Sequence, residues 1–312
     1  MATGGTQFLV EGFGLTKTYR GGKRPAVVDV SVRVAPGEIL GVIGPNGAGK
    51  TTLMACLLGL LKPESGWGRL GGHPSGSLQA NALVGYLPER LRFDPWMTGR
   101  NFVAFHHALA GLPESKRDSA VKAVLEDVGL DPQAWSQAIK SYSRGMLQRV
   151  GLAQALVGQP RILFLDEPTS GLDPDGALQT RKRLQAFAAD GGAVVVNSHQ
   201  LEQLSKLCHQ VVFIKEGRLA GGERLTNAAN LRWFVRWVKA DGVTDVARSV
   251  LATMRLQQGK VEDGGLEVDV ADEATAAQLV TMLAKASVPV LAAGPLKGDL
   301  EKYFMGGVRD TE

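Results

Sequence analysis

Long apolar runs are missing from this chain of 312 residues. The longest, such as Ile39–Ile43 and Ala193–Val196, are strand-sized and fall far short of the roughly 20 residues that cross a bilayer as a helix. The chain is therefore expected not to span a membrane. Cysteine is scarce as well: Cys56 and Cys208 form neither a disulfide framework nor a metal-binding spacing, which suits a reducing compartment, and both read as buried small apolar residues. The opening MATGGTQFLVEG has no basic region followed by an apolar one, so export is not expected. Charge of one sign is barely in excess, at +4, and the basic residues are scattered, so no nucleic-acid partner is expected. His73, His106, His107 and His209 lack the spacing of a metal site. There is no internal repeat, low-complexity segment or heptad run, which excludes solenoids and long coiled coils.

What is present is an alternation of strand and helix patterns. Phe8–Val34 alternates apolar and polar residues around the glycine-rich turn Arg20–Lys23 and reads as antiparallel strands. Glu38–Ile43 then feeds a glycine-rich turn and a helix expected over Lys50–Leu61, with Leu53, Leu57, Leu60 and Leu61 on one face. Residues from about Asp94 to Gly158 are helical in pattern, with Pro113 and Pro132 as breaks and Thr98 and Ser143 as helix N-terminal residues. Strand and helix alternate again through Arg161–Leu165, Asp175–Ala189, Ala193–Asn197 and Val211–Lys215. From about Leu231 the order becomes strand, helix, strand pair, helix, strand, followed by a short helix near Leu300–Phe304. Trp233, Val235 and Trp237 share one strand face, which either packs on the two helices or serves self-association. The expected fold is α/β: a P-loop NTPase core with an antiparallel β subdomain and a helical insertion over about 94–158, plus a small C-terminal α+β domain of βαββαβ-like order. The expected domains are 1–229 and 230–312.

The chemistry concentrates in two motifs. Gly44-Pro45-Asn46-Gly47-Ala48-Gly49-Lys50-Thr51 fits the phosphate-loop pattern, and it follows a strand and opens a helix, the context that confirms it. Glycines let successive N–H groups turn toward phosphate oxygens, and the helix N-terminus adds its partial positive charge. Lys50 can then reach the β- and γ-phosphates while the Thr51 hydroxyl ligates Mg²⁺. Ile162–Glu167 is an apolar strand ending in two carboxylates. Asp166 can hold the metal, and Glu167, one residue on and so pointing elsewhere, can polarise an attacking water.

Ser143-Arg144-Gly145-Met146-Leu147-Gln148-Arg149 lies between these two motifs and resembles the signature of ABC ATPases, with Tyr142-Ser143-Arg144-Gly145-Met146 in place of the familiar Leu-Ser-Gly-Gly-Gln. The variant is similar to exporter-type and copper-site-assembly cassettes, which also carry a small α/β tail. The likeness covers about residues 6–225. It implies that Tyr19 stacks on adenine, that Thr169–Asp173 is the D-loop and that His199 is the switch histidine. It further implies that Gly44, Asn46, Gly47, Gly49, Lys50, Thr51, Thr52, Ser143, Gly145 and Asp173 bind nucleotide, with one ATP lying between Lys50 of one copy and Ser143 of a second. Lys50, Glu167 and His199 would be catalytic, and Thr51, Glu89 and Asp166 would hold Mg²⁺. Glu89 departs from the commonest pattern, which has glutamine there.

The function implied is that of an ATP-binding and ATP-hydrolysing transporter subunit. It would act as a dimer on a separate transmembrane subunit, peripheral on the cytoplasmic face of the membrane, with ATP and Mg²⁺. The segment Arg92–Phe105, anchored by Trp96 and Met97, is expected to dock on that partner. The alternatives are the ATPase of a membrane complex that matures a metal site, a soluble ABC ATPase working on ribosomes or DNA, and a nucleotide-binding scaffold without turnover.

Overall fold

Two strands with alternating side chains, β1 (Val10–Lys17) and β2 (Val27–Val34), pair antiparallel. Val30, Val32 and Val34 are buried while Ser31 and Arg33 are exposed, the period of two that a half-buried strand requires. The register slips where Asp29 takes a positive φ of 51°. The computed structural model describes residues 8–22, 24–198, 201–224, 231–240, 242–254, 256, 258–262, 264–270 and 272–295. By its internal contacts the chain divides into two units, Met1–Arg224 and Leu225–Glu312.

In the first unit the order continues with β3 (Ile39–Ile43), α1 (Lys50–Leu58), β4 (Ser65–Leu70), β5 (His73–Pro74), α2 (Leu78–Asn81), β6 (Val84–Leu87) and α3 (Gly99–Leu109). It then runs through α4 (Arg117–Asp127), α5 (Arg144–Val157), β7 (Ile162–Asp166), α6 (Pro174–Ala189), β8 (Ala193–Asn197), α7 (Leu201–Ser205), β9 (Gln210–Lys215) and β10 (Arg218–Arg224). One antiparallel sheet has the order β2-β1-β4-β5. The other has the order β10-β9-β3-β8-β7-β6 and is parallel except where β10 turns back on β9. Every residue of β3, β7 and β8 is buried, as continuous apolar strands in a sheet covered on both faces should be. The carboxyl ends of β3, β6, β7 and β8 finish side by side, the position at which open α/β sheets bind ligands.

Helix α1 is shorter than expected. Gly59 turns left-handed at φ 75° and caps it after Leu58, so Leu60 lies 64% exposed instead of on the buried face. In the helical insertion, α3, α4 and α5 pack on one another, and Phe102, Val103, Val121, Leu125 and Leu152 are buried there. Thr98 and Ser143 cap α3 and α5, accepting from the backbone N–H groups of Asn101 and Met146 at 3.2 Å each.

The second unit runs β11 (Leu231–Trp237), α8 (Val243–Met254), β12 (Gln258–Glu262), β13 (Gly265–Val270), α9 (Glu273–Lys285) and β14 (Val290–Pro295). Its sheet order is β12-β13-β11-β14 with all pairs antiparallel, a split βαβ arrangement. Val235 and Trp237 are buried in a cluster with Ala247, Val250 and Leu251 of α8 and Ala276, Leu279 and Leu283 of α9. That strand face therefore packs on the helices. The helix expected near Leu300–Phe304 lies outside the described residues.

Candidate nucleotide site

The loop between β3 and α1 can exist only with glycine at its two ends. A Cβ on Gly44 would sit 2.2 Å from the Ile214 carbonyl oxygen, and one on Gly49, at φ 107°, would sit 2.1 Å from that of Ala26. The tight curl leaves Lys50 at the start of α1, where its Nζ donates to the carbonyl oxygens of Gly44 at 2.8 Å and Pro45 at 3.0 Å. Burial lowers the pKa of Lys50, and the nearby carboxylates of Glu167, Asp166 and Glu89 pull it back up.

Across the cleft, Asp166 ends β7 beside Asn197, the last residue of β8. Its Oδ1 accepts from Asn197 Nδ2 at 2.7 Å, and its Oδ2 accepts from Thr51 Oγ1 at 3.4 Å. Burial pushes the Asp166 carboxyl up to about 6 and Glu89 adds to this, while the Asn197 hydrogen bond holds it down. Glu167 follows in a left-handed conformation, φ 52°. Its backbone is pinned from both sides: its N–H donates to the Asn197 carbonyl at 2.9 Å and its carbonyl accepts from Gln148 Nε2 at 3.0 Å. Its side-chain Oε2 accepts from the buried Ser198 hydroxyl at 3.1 Å.

These groups line one cleft of about 930 Å³, large enough for a nucleotide. It brings together Tyr19, Asn46, Gly47, Gly49, Lys50, Thr51 and Thr52 with Glu89, Asp166 and Glu167. Tyr19 is half exposed, and its hydroxyl lies 3.0 Å from Thr52 Oγ1, which leaves a ring at the rim. Ser143, Gly145 and Asp173 stand apart from the cleft. Ser143 is exposed at the N-terminus of α5, and Asp173 caps α6, accepting from Gly176 N at 2.7 Å. His199 lies outside the described residues.

The donor set suits a hard divalent cation. Among the described residues no three carboxylate, imidazole or thiol groups converge tightly enough to hold an ion unaided. Mg²⁺ is ordinarily held by one or two protein oxygens together with phosphates and waters, and Thr51 Oγ1, Asp166 and Glu89 offer that. The Asn197 Oδ1 atom is buried without a partner beside Asp166 and can accept from a metal-bound water.

Three supports have roles that no motif announces: Asn197 and Ser198 lie outside the motifs, and Gln148, though within the signature stretch, acts on Glu167 across the fold. A usable signal existed for two of them, since Asn197-Ser198 ends an apolar strand that pairs in register with the one ending in Asp166. Arg144, at the departure from the familiar signature, donates from Nη2 to Ser170 Oγ at 2.6 Å, and both residues border the cleft.

The ABC transporter family model matches residues 27–170. An uncharacterized ABC transporter ATP-binding protein of Synechocystis sp. is 33% identical over 308 residues, which cover 97% of this chain and 85% of that protein. The chain belongs to the ABC transporter ATP-binding protein family. Within that family, this cassette is also 37% identical over 204 residues to a Nod factor export ATP-binding protein of Paraburkholderia xenovorans, covering 65% of this chain and 66% of the relative. A dimeric ATP-binding cassette solved in a post-hydrolysis state with ADP and Pi superposes at a TM-score of 0.65. At 23% identity it spans 70% of this chain and 99% of its own, a likeness of fold. As a family member the cassette is an ATP-binding ATPase of the P-loop α/β type.

Proposed function

We propose that this cassette binds ATP with Mg²⁺ in the cleft above β3, β7 and β8. In this reading it hydrolyses the nucleotide against a second copy of itself and drives transport through a separate membrane subunit, from the cytoplasmic face of the membrane. One observation carries the proposal. Lys50, Thr51, Asp166 and Glu167 share a cleft from which the exposed Ser143 is absent, so the signature serine is free to meet another copy's nucleotide. The export name of one relative and the dimeric state of one structural neighbour support the same reading.

In this mechanism the loop N–H groups and the Lys50 ammonium hold the β- and γ-phosphates, the Lys50 Nζ exchanging its two carbonyl partners for phosphate oxygens. Thr51, Asp166 and Glu89 hold Mg²⁺, which neutralises phosphate charge when bound. Tyr19 offers its ring to adenine. Glu167 takes a proton from the attacking water, with Ser198 orienting the carboxylate and Gln148 fixing the backbone beneath it. The Ser143 hydroxyl and the N-terminal N–H groups of α5 complete the phosphate shell from the partner copy.

A composite site of this kind makes turnover depend on association. Specific ATPase activity of the isolated full chain should climb with protein concentration until dimers saturate. Phosphate release per chain that stays constant down to high dilution would place the whole site in one copy. Recovery of a membrane protein together with the native chain is the expected result for the transport part.

A further inference from the structure

The walls of the cleft bring no net positive charge to an anionic ligand, because its three carboxylates match the three cations Lys50, Arg90 and Arg144. Three carboxylates line it, Glu89, Asp166 and Glu167, and nucleotide phosphates are themselves anionic. Of the cations on its walls, Lys50 is engaged with the loop carbonyls and Arg144 with Ser170, and Arg90 is exposed to solvent. Asp166 and Glu167 belong to the hydrolytic machinery, which leaves Glu89 as the charge that could have been spared. A glutamine there would have kept an oxygen donor at the same reach without the charge.

From this we propose that Glu89 acts as a selectivity residue: its carboxylate repels nucleotide that arrives without a divalent cation, and so makes the cleft accept metal–nucleotide and reject free nucleotide. The inference rests on the cleft binding ATP, as proposed above. Position supports it. Glu89 lies two residues past the end of β6, the strand next to β7, and lines the cleft together with Lys50, Thr51 and Asp166. When the cation is present, the same oxygen turns from a repelling group into a ligand, so one side chain both excludes the wrong complex and holds the right one. A neutral amide would supply only the second of these effects.

The test is calorimetric or fluorescence titration of the full chain with a non-hydrolysable ATP analogue, in excess EDTA and in excess Mg²⁺, for the parent, Glu89→Gln and Glu89→Ala. Glu89 is exposed, so neither variant should disturb folding. Both variants should bind the metal-free analogue about tenfold tighter than the parent does, the scale of one unit charge a few ångströms away in a solvated cleft. The gain should shrink at high salt, which screens charge but not packing. With Mg²⁺, Glu89→Gln should stay near the parent, whereas Glu89→Ala, lacking the oxygen, should bind more weakly than Glu89→Gln. Unchanged metal-free affinity in both variants would overturn the inference while leaving ATP binding intact. A parent chain that binds the analogue in neither condition would sink the ATP-binding reading, and this inference with it.

Discussion

Asp166 and Glu167 are neighbours in sequence, yet the fold sets them to different tasks by environment. Asp166 is sealed between Asn197 and Thr51, while Glu167 turns aside through a left-handed backbone and faces Ser198. Glu167→Gln should keep ATP binding and slow turnover roughly 10²-fold or more, since a general base contributes about 10²–10⁴. The variant should accumulate as an ATP-bound dimer by size exclusion, and hydrolysis at the parent rate would remove Glu167 from the role. Asp166 makes a second prediction through its raised carboxyl, which titrates at about 6 in the fold against an ordinary 3.8. Between these values the folded chain holds a proton that the unfolded chain has released, so this group's contribution to stability falls as pH rises and its full cost stands above about 6. Asp166→Asn should therefore raise the Tm of the nucleotide-free chain more at pH 7.5 than at pH 4, and abolish turnover at both. An equal shift at the two pH values would mean that Asp166 is not strained by charge burial.

The elements that were legible in the sequence are those whose side chains repeat with one period. β3, β7 and β8 read as continuous apolar strands and are wholly buried, and the Thr98 and Ser143 caps sit where their residue types placed them. β4 is not legible in the sequence, because Gly66 and Gly68 leave its segment SGWGRL without a side-chain pattern, and its place is fixed instead by pairing with β1. The site divides in the same way. The phosphate loop and the Asp-Glu pair are local motifs, whereas Gln148, Asn197 and Ser198 act across 19 to 31 positions of chain and acquire meaning only when β7, β8 and α5 are assembled. Among surface elements, the turn Asp94–Met97 holds Trp96 72% exposed, with Lys140 Nζ 3.5 Å from its ring centroid, so Trp96 is not local core. Trp96→Ala should change the stability of the isolated chain by no more than about 0.5 kcal/mol and lower recovery of the membrane partner. Phe102→Ala is the contrast. That side chain is 7% exposed and its ring centroid lies 4.8 Å from that of Phe93, so its loss should cost about 3–5 kcal/mol by thermal or denaturant unfolding.

At the scale of the molecule, all the residues of the proposed site that the structure describes belong to the unit ending at Arg224, and the second unit encloses its own apolar cluster around Val235, Trp237, Leu251 and Leu279. A chain ended after Arg224 should fold and bind nucleotide with parent affinity, because a unit with its own core can be removed at a linker. A folded truncation that had lost ATP binding would refute this division of labour. The two separate clusters also bear on how the protein should melt. Heat capacity should trace two unfolding events, so a single midpoint would describe neither. Nucleotide stabilises only the body that binds it, by about 2.7 kcal/mol when free ligand is a hundred times its Kd. Adding ATP analogue and Mg²⁺ should thus slide one peak to higher temperature and leave the other in place, turning a calorimeter trace into a map of which half of the chain the ligand touches.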